Sequence, residues 1–380
     1  MDELEITIDE LADLPEGSYT LIDVRDEISF AYGTLEGAVS EPDIIGAANG
    51  GRLPKDRRLV LFCMHGNESY AAAQELSRRG YDAVSLHDGY GAWLRKQTAR
   101  QEDRSLEIEQ GIRTRSGRKK LLSPFCRAVR DYELISPGDR IAVCISGGKD
   151  SMLMAKLFQE LARQNRMPFE LVFLCMDPGY NELNRLVIEN NAATLGIPLT
   201  VFESEIFDAV YTIEKSPCYL CARMRRGHLY AKAKELGCNK IALGHHYDDV
   251  IETILMSMLW GAQIQTMMPK LHSTNFEGME LIRPMYYIRE DDIKAWRDAN
   301  HLHFIQCACH FTDTCSSCRT DGAAVSKRMD TKLLIQKLKK TNPGVEKNIF
   351  NSVNNVNIDA LPSYKRDGVK HSFLDTYDSE

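Results

Sequence analysis

No apolar run in these 380 residues approaches the ~18 residues that cross a bilayer as a helix, so a membrane-spanning protein is not expected. The start, Met-Asp-Glu-Leu-Glu, lacks the basic-then-apolar pattern of a secretory leader. Internal repeats and low-complexity stretches are missing as well. Positive charge is in deficit: 47 Lys+Arg face 54 Asp+Glu, a formal net charge of −7, which taken as a whole argues against a polyanionic partner. The deficit is local, however. Residues 1–95 hold 8 Lys+Arg against 18 Asp+Glu, and the rest holds 39 against 36, so the larger part of the chain is compatible with RNA.

What is present is ordinary in bulk and unusual in its cysteines. Hydrophobic content of 43% and charged content of 27% suit a globular chain, and the length favours two domains over one. Eleven cysteines, an odd number without a secretion signal, read as thiols, metal ligands or redox groups rather than disulfides. A cytoplasmic protein is expected.

The most informative stretch is Ser146-Gly147-Gly148-Lys149-Asp150-Ser151. The β-branched run Arg140–Ile145 before it reads as a buried strand, and Leu153, Leu157, Phe158 and Leu161 after it fall at helical spacing. Strand, glycine turn and helix aim backbone N–H groups and a helix dipole at an anion. Lys149 adds a point charge, and Asp150 suits Mg²⁺, a hard cation that takes carboxylate and phosphate oxygens. The glycines directly precede the lysine, so this is not the G-x-x-x-x-G-K-[ST] loop.

Upstream, Tyr19–Val24, Arg58–Cys63 and Asp82–Leu86 read as strands and Ser69–Arg79 as a helix, which implies a parallel sheet over residues 1–96. Cys63 ends a strand, and Met64–Ser69 loops into the next helix. Such a loop turns N–H groups inward and favours the thiolate. Residues 97–117 are charged, show no clear apolar stripe and read as a linker, part of it helical. The basic run Arg113, Arg115, Arg118, Lys119 and Lys120 leads into a helix over 121–134. It reads either as a solvated helix face or as a phosphate contact.

Downstream, Glu170–Cys175 and Leu199–Phe202 continue the strand pattern. Asp177, just past a strand's carboxyl end, is placed to neighbour a nucleotide. Strand Lys240–Gly244 opens into His245-His-Tyr-Asp248-Asp249 and a helix from Val250 to Trp260. One aspartate is explained as a helix cap; Gly244, His245 and both Asp248 and Asp249 together point to nucleotide and Mg²⁺ contacts. Leu281–Pro284 leads to a helix over 290–299. Cys218-Tyr-Leu-Cys221 has the spacing of a metal-ligand pair, and a second cysteine-dense turn holds Cys307, Cys309, His310, Cys315 and Cys318. The tail from 359 to 380 is polar and expected to fray.

Three resemblances follow. Ser146–Ser151 resembles the PP-loop of N-type ATP pyrophosphatases, which split ATP between the α and β phosphates. The stretch from Lys119 to about Asn355 resembles the TtcA-type tRNA 2-thiocytidine synthetases. It carries that loop, the block Cys218-x-x-Cys221-x-Arg-x-Arg-Arg-Gly227 and Gly-His-His-x-Asp-Asp. Residues 1–96 resemble a rhodanese, through Leu21–Arg25, Gly33–Ala38, the Cys63 loop and Gly89–Trp93. Active rhodaneses often place arginine where this loop has Met64 and Glu68, so sulfur is expected from a protein persulfide rather than from thiosulfate. A degenerate docking module is the alternative.

The resemblance implies an α/β fold of two doubly wound parallel-sheet domains, 1–96 rhodanese-like and 118–358 PP-loop. ATP, held by Ser146 to Ser151, adenylates the C2 oxygen of a tRNA cytidine, and sulfur displaces AMP with the help of a [4Fe–4S] cluster. Cluster ligands carry over to Cys218, Cys221 and Cys309, with Cys307 as the alternative third. A zinc site completed by Cys315 and Cys318 is the competing reading. Cys63 is the expected persulfide carrier. Partners are tRNA, a cysteine desulfurase or other persulfide donor, and no membrane; assembly as a homodimer stays open. The rival functions are thiolation of another base or a small molecule, and a regulatory module that binds nucleotide and cluster without turnover.

Overall fold

The computed structural model describes residues 4–15, 17–99, 104–180, 182–204, 217–305 and 327–377. Its first compact unit takes residues 1–246 and 269–325, its second 247–268 and 326–380. The first unit holds two sheets. One orders its strands β1-β5-β4-β2-β3, with β1 Glu5–Ile6, β2 Tyr19–Asp23, β3 Val39–Ser40, β4 Arg58–Phe62 and β5 Ala83–Leu86, all parallel. In β4, Leu59, Val60, Leu61 and Phe62 are all fully buried, as in a strand covered on both faces.

The second sheet orders β10-β11-β9-β6-β7-β8. Its strands are β6 Arg140–Ile145, β7 Glu170–Asp177, β8 Leu199–Glu203, β9 Lys240–Ala242, β10 Lys270–His272 and β11 Glu280–Ile282. Only the β10–β11 pair is antiparallel. From β6 the chain runs outward through β7 and β8, then returns to β9 on the other side. Open α/β sheets bind ligands outside the carboxyl ends of the strands at such a reversal, here between β6 and β7 on one side and β9 on the other.

Several elements depart from the sequence reading. The short strands β1, β3, β10 and β11 carry no readable periodicity in two or three residues. Pro217–Glu235, assigned no element, is a single helix. The charged stretch before the second sheet does have an apolar stripe: in helix Ser105–Arg113, Ile108 and Ile112 are fully buried, four residues apart on one face. Beneath them Lys156 Nζ, also fully buried, donates to Glu109 Oε1 at 2.7 Å, Ser105 Oγ at 2.9 Å and the Leu195 carbonyl at 2.7 Å. One hydrophobic cluster therefore runs from Val60, Leu86 and Leu94 through Ile108 and Phe125 to Leu157 and Ile188. The Trp93 ring meets His303 edge-on at 4.7 Å, and burial first, then Arg297, holds that imidazole below its ordinary pKa.

The second unit contains helices Tyr247–Gly261, Lys327–Thr341 and Val345–Ser352. Tyr247 stacks on Phe350 at 4.5 Å and donates to the Glu346 carbonyl at 3.2 Å. Residues 359–380, expected to fray, include a hairpin of β12 Ser363–Arg366 and β13 Val369–Ser372. Asp367 and Gly368 turn it with φ of 51° and 79°, the left-handed pair of a tight hairpin. Among the described residues, no helix is long and apolar enough to cross a membrane.

Candidate functional site

The β6 strand ends at Ile145, and the next residues fold into a serine-locked turn. Ser151 Oγ accepts from Ser146 N at 3.1 Å and donates to the Gly148 carbonyl at 3.0 Å. Gly147 sits at φ +84°, and a Cβ there would lie 2.5 Å from Ile188 Cγ1 and 2.9 Å from Ile305 Cδ1. Only glycine fits. Gly148 is extended and puts no side-chain cap on helix Lys149–Arg163. The first amides of that helix are thus left to an external acceptor.

Lys149 is buried at 4% exposure. Its ammonium lies 3.1 Å from Asp150 Oδ2 and 3.5 Å from Glu290 Oε1. Glu290 opens helix Glu290–Ala299 and was not among the site residues read from sequence. Asp150 Oδ1 is buried without a hydrogen-bond donor; His246 Nε2 is 3.8 Å from it. A bare buried carboxylate oxygen is costly unless a cation meets it.

The other expected residues divide. Gly244 follows β9 and packs against the loop's helix: a Cβ would stand 3.2 Å from the Ser151 nitrogen. His245 Nδ1 accepts from Arg283 Nε at 3.3 Å, and Arg283, itself 6% exposed, is a second residue given no site role from sequence. Asp177 is buried at the end of β7, but its carboxylate is already engaged. Oδ1 accepts from Gly179 N at 2.9 Å and Tyr180 N at 2.6 Å, and Oδ2 pairs with Arg185 at 3.3 Å. It shapes the loop after β7. Asp248 and Asp249 stand in the first turn of helix Tyr247–Gly261, in the second unit. There Asp249 Oδ1 accepts from Arg328 Nη1 at 2.7 Å.

Cys63 lies at the carboxyl end of β4, 2% exposed. Its sulfur accepts from Gly66 N at 3.2 Å, Ser69 N at 3.5 Å and Ser69 Oγ at 3.4 Å. Gly66, at φ 90°, caps helix Asn67–Arg78, so a sulfur anion here meets both turned-in amides and a helix N-terminus. Ser85 Oγ, 2.8 Å from Ser69 Oγ, holds that hydroxyl in place. Gly89 lies so close that a Cβ would collide with the Cys63 carbonyl and stand 2.8 Å from Gly66 N. Beside it, a cleft of about 410 Å³ is lined by His65, Asn67, Tyr70, His87 and Asp88. Burial pushes the Cys144 and Cys175 thiols up to about 12 and also raises Cys126 and Cys238. Cys144, Cys175 and Cys238 are core residues, and Cys126 is half-buried.

Cys218 and Cys221 fall in the first turns of helix Pro217–Glu235; their side chains lie outside the described residues. So do Cys307, Cys309, His310, Cys315 and Cys318. Among the described residues, no group of three or more His, Cys, Asp or Glu is arranged to hold a metal.

A glycine loop at the switch point of one sheet and a cradled cysteine at the end of another define the class. Residues 119–310 match the PP-loop domain and residues 7–96 the rhodanese-like domain, which makes this a PP-loop protein with a fused rhodanese-like domain. Within that class, the chain belongs to the tRNA-cytidine(32) 2-sulfurtransferase family. It is 34% identical to that protein from Anaeromyxobacter dehalogenans (strain 2CP-C) over 259 residues, 67% of this chain and 84% of the relative. The Geobacter sulfurreducens relative is 35% identical over 241 residues, 63% of this chain and 90% of that one. A solved structure of the U34-tRNA thiolase NcsA from Methanococcus maripaludis, with its [4Fe–4S] cluster, matches at 20% identity and a TM-score of 0.47, over 61% of this chain and 76% of that one.

Proposed function

We propose that this protein activates the C2 oxygen of a tRNA cytidine, position 32 by likeness to its relatives, with ATP and replaces that oxygen with sulfur. The observation that carries the reading is the uncapped, serine-locked glycine loop with Lys149 poised between Asp150 and Glu290. Main-chain amides from Gly147 to Ser151 receive the phosphates, and Lys149 turns its charge to the oxygens that gain negative charge as pyrophosphate leaves. The cytidine oxygen attacks the α-phosphorus, forming C2–O–AMP and releasing pyrophosphate. An amide-like oxygen is a poor leaving group, whereas AMP leaves readily once sulfur has added to C2.

The residues suit the implied partners of the reaction. The bare Asp150 Oδ1 is a fitting oxygen ligand for Mg²⁺, with ATP phosphates supplying the rest of its shell. Cys218, Cys221 and Cys309 would be a set of thiolate donors of the kind that holds iron–sulfur clusters. With three protein ligands, a bound [4Fe–4S] cluster supplies one iron open to sulfur.

Cys63 is the sulfur carrier in this scheme. Its thiolate attacks the outer sulfur of a protein persulfide, forming a Cys63 S–S bond as the donor thiolate leaves. Passing that zero-valent sulfur on as sulfide takes two electrons from a thiol reductant and returns Cys63 as thiolate. The test of the whole reading has two readouts: tRNA-dependent release of AMP and pyrophosphate by the purified protein, and nucleoside analysis of tRNA from a deletion strain. Loss of 2-thiocytidine in the strain is expected. Retention of 2-thiocytidine, or AMP release that ignores tRNA, would overturn it.

A further inference from the structure

The basic run after residue 112 is not merely a solvated face. Arg113, Arg118 and Arg166 line a cleft of about 290 Å³ together with Leu122, Glu160 and Gln164. Two buried carboxylates anchor part of this cluster. Glu160 accepts from Arg113 Nε at 2.9 Å and from Arg163 Nη1 at 3.2 Å. Glu109 pairs with Lys156 at 2.7 Å and Arg163 at 2.6 Å. Arg118 and Arg166 are exposed, and among the described residues neither forms an ion pair. Five cations therefore meet two anions, and the surplus faces the cleft. Residues 118–122 form a π-helical turn with Leu121 and Leu122 buried while Arg118, Lys119 and Lys120 are exposed, a widened turn of the sort often kept at functional positions. Burial raises the Cys126 thiol, while the charges of Arg166 and Arg118 pull it back.

We propose that this arginine cleft is a seat for a backbone phosphodiester of the tRNA substrate, separate from the PP-loop. The inference rests on the proposed function for the identity of the polyanion. The buried glutamates hold Arg113 and Arg163 in place. Arg118 and Arg166 keep their forks for a phosphate, which guanidinium groups grip in a planar, two-pronged fashion. Exposed Arg115 and Lys119 extend the positive surface along the strand the phosphate would belong to.

The test uses Arg118→Ala and Arg166→Ala, singly and together, in the full chain with unmodified tRNA. The dissociation constant is measured over a salt series. Each substitution should lower the slope of log Kd against log salt by about 1. In the double variant, the affinity lost between about 50 and about 200 mM salt should shrink by about tenfold, and KM for tRNA should rise. An unchanged thermal midpoint checks that the fold survives. Wild-type slope and affinity in the double variant would overturn the proposal. So would loss of inorganic phosphate binding with tRNA binding intact, because the cleft would then serve a small anion. A wild-type protein that binds no tRNA would overturn both this proposal and the function beneath it, whereas failure in the variants alone touches only the cleft.

Discussion

Lys149→Ala should damage the protein twice. The side chain is 5% exposed, between Asp150 at 29% and Glu290 at 14%. Removing the ammonium leaves two facing carboxylates with less counter-charge, though Glu290 keeps Lys294 at 3.2 Å. Removing one partner of a fully buried pair costs about 3–5 kcal/mol. Asp150 is partly wet and Glu290 retains a cation, so about 2–3 kcal/mol is expected here. In a protein of this size that is an apparent thermal midpoint lower by roughly 3–4 °C. Catalysis loses the cation that meets the leaving pyrophosphate, about 10²–10³ in rate.

The two effects can be separated. Glu290→Gln removes one of the facing charges, so Lys149→Ala/Glu290→Gln should recover about 1 kcal/mol or more of the stability, as coupled neighbours do. It should recover none of the pyrophosphate release. Thermal midpoints of the four proteins and AMP and pyrophosphate formation under saturating ATP and tRNA make the cycle. Pyrophosphate at the wild-type rate from Lys149→Ala would refute the reading of the loop. An unchanged midpoint would refute the buried-pair account, and activity restored by the double variant would show that Lys149 only neutralises Glu290.

Gly147→Ala drives a Cβ into Ile188 and Ile305 at a positive φ, so a midpoint loss corresponding to at least about 1 kcal/mol and weaker ATP binding by calorimetry are expected. Cys63→Ser should slow thiolation fed by a protein persulfide while sparing turnover on free sulfide; equal loss with both donors would contradict the relay. Substituting Cys218, Cys221 or Cys309 singly should abolish an iron content of about four per chain in protein purified without oxygen, whereas Cys315→Ala and Cys318→Ala should keep it. For pH, burial alone would raise the Asp139 and Glu280 carboxyls. Hydrogen bonds from Asn239 and Ser136 to Asp139, and Lys240 to both, outweigh it and hold them low. Their stabilisation is complete above the ordinary carboxylate range and lost as pH falls through it to the lowered folded values, so Lys240→Met should flatten midpoint against pH on the acid side.

How much of this was legible depended on how local the chemistry is. Ser146–Ser151 could be read because strand, turn and helix start are consecutive, and the folded loop uses those same atoms. Cys63 could be read for the same reason. The Asp367-Gly368 turn was equally local, and the polar composition around it masked a clear hairpin signal. Glu290 and Arg283 could not be read. A glutamate opening an amphipathic helix looks like ordinary dipole compensation, and nothing near it in the chain announces Lys149. Asp177 was read correctly for position, yet its carboxylate shapes the loop through Gly179 and Tyr180. Ile108 and Ile112 were hidden among charges because their stripe needs only two apolar residues when Lys156 and Glu109 satisfy each other beneath it. One constraint on the loop is hard to see in the sequence. Gly147 is walled by Ile188 and Ile305, distant in sequence from the loop and from each other, so its need for glycine comes from packing as much as from backbone conformation. The motif therefore specifies the turn itself, and residues far outside the motif wall it into its shape.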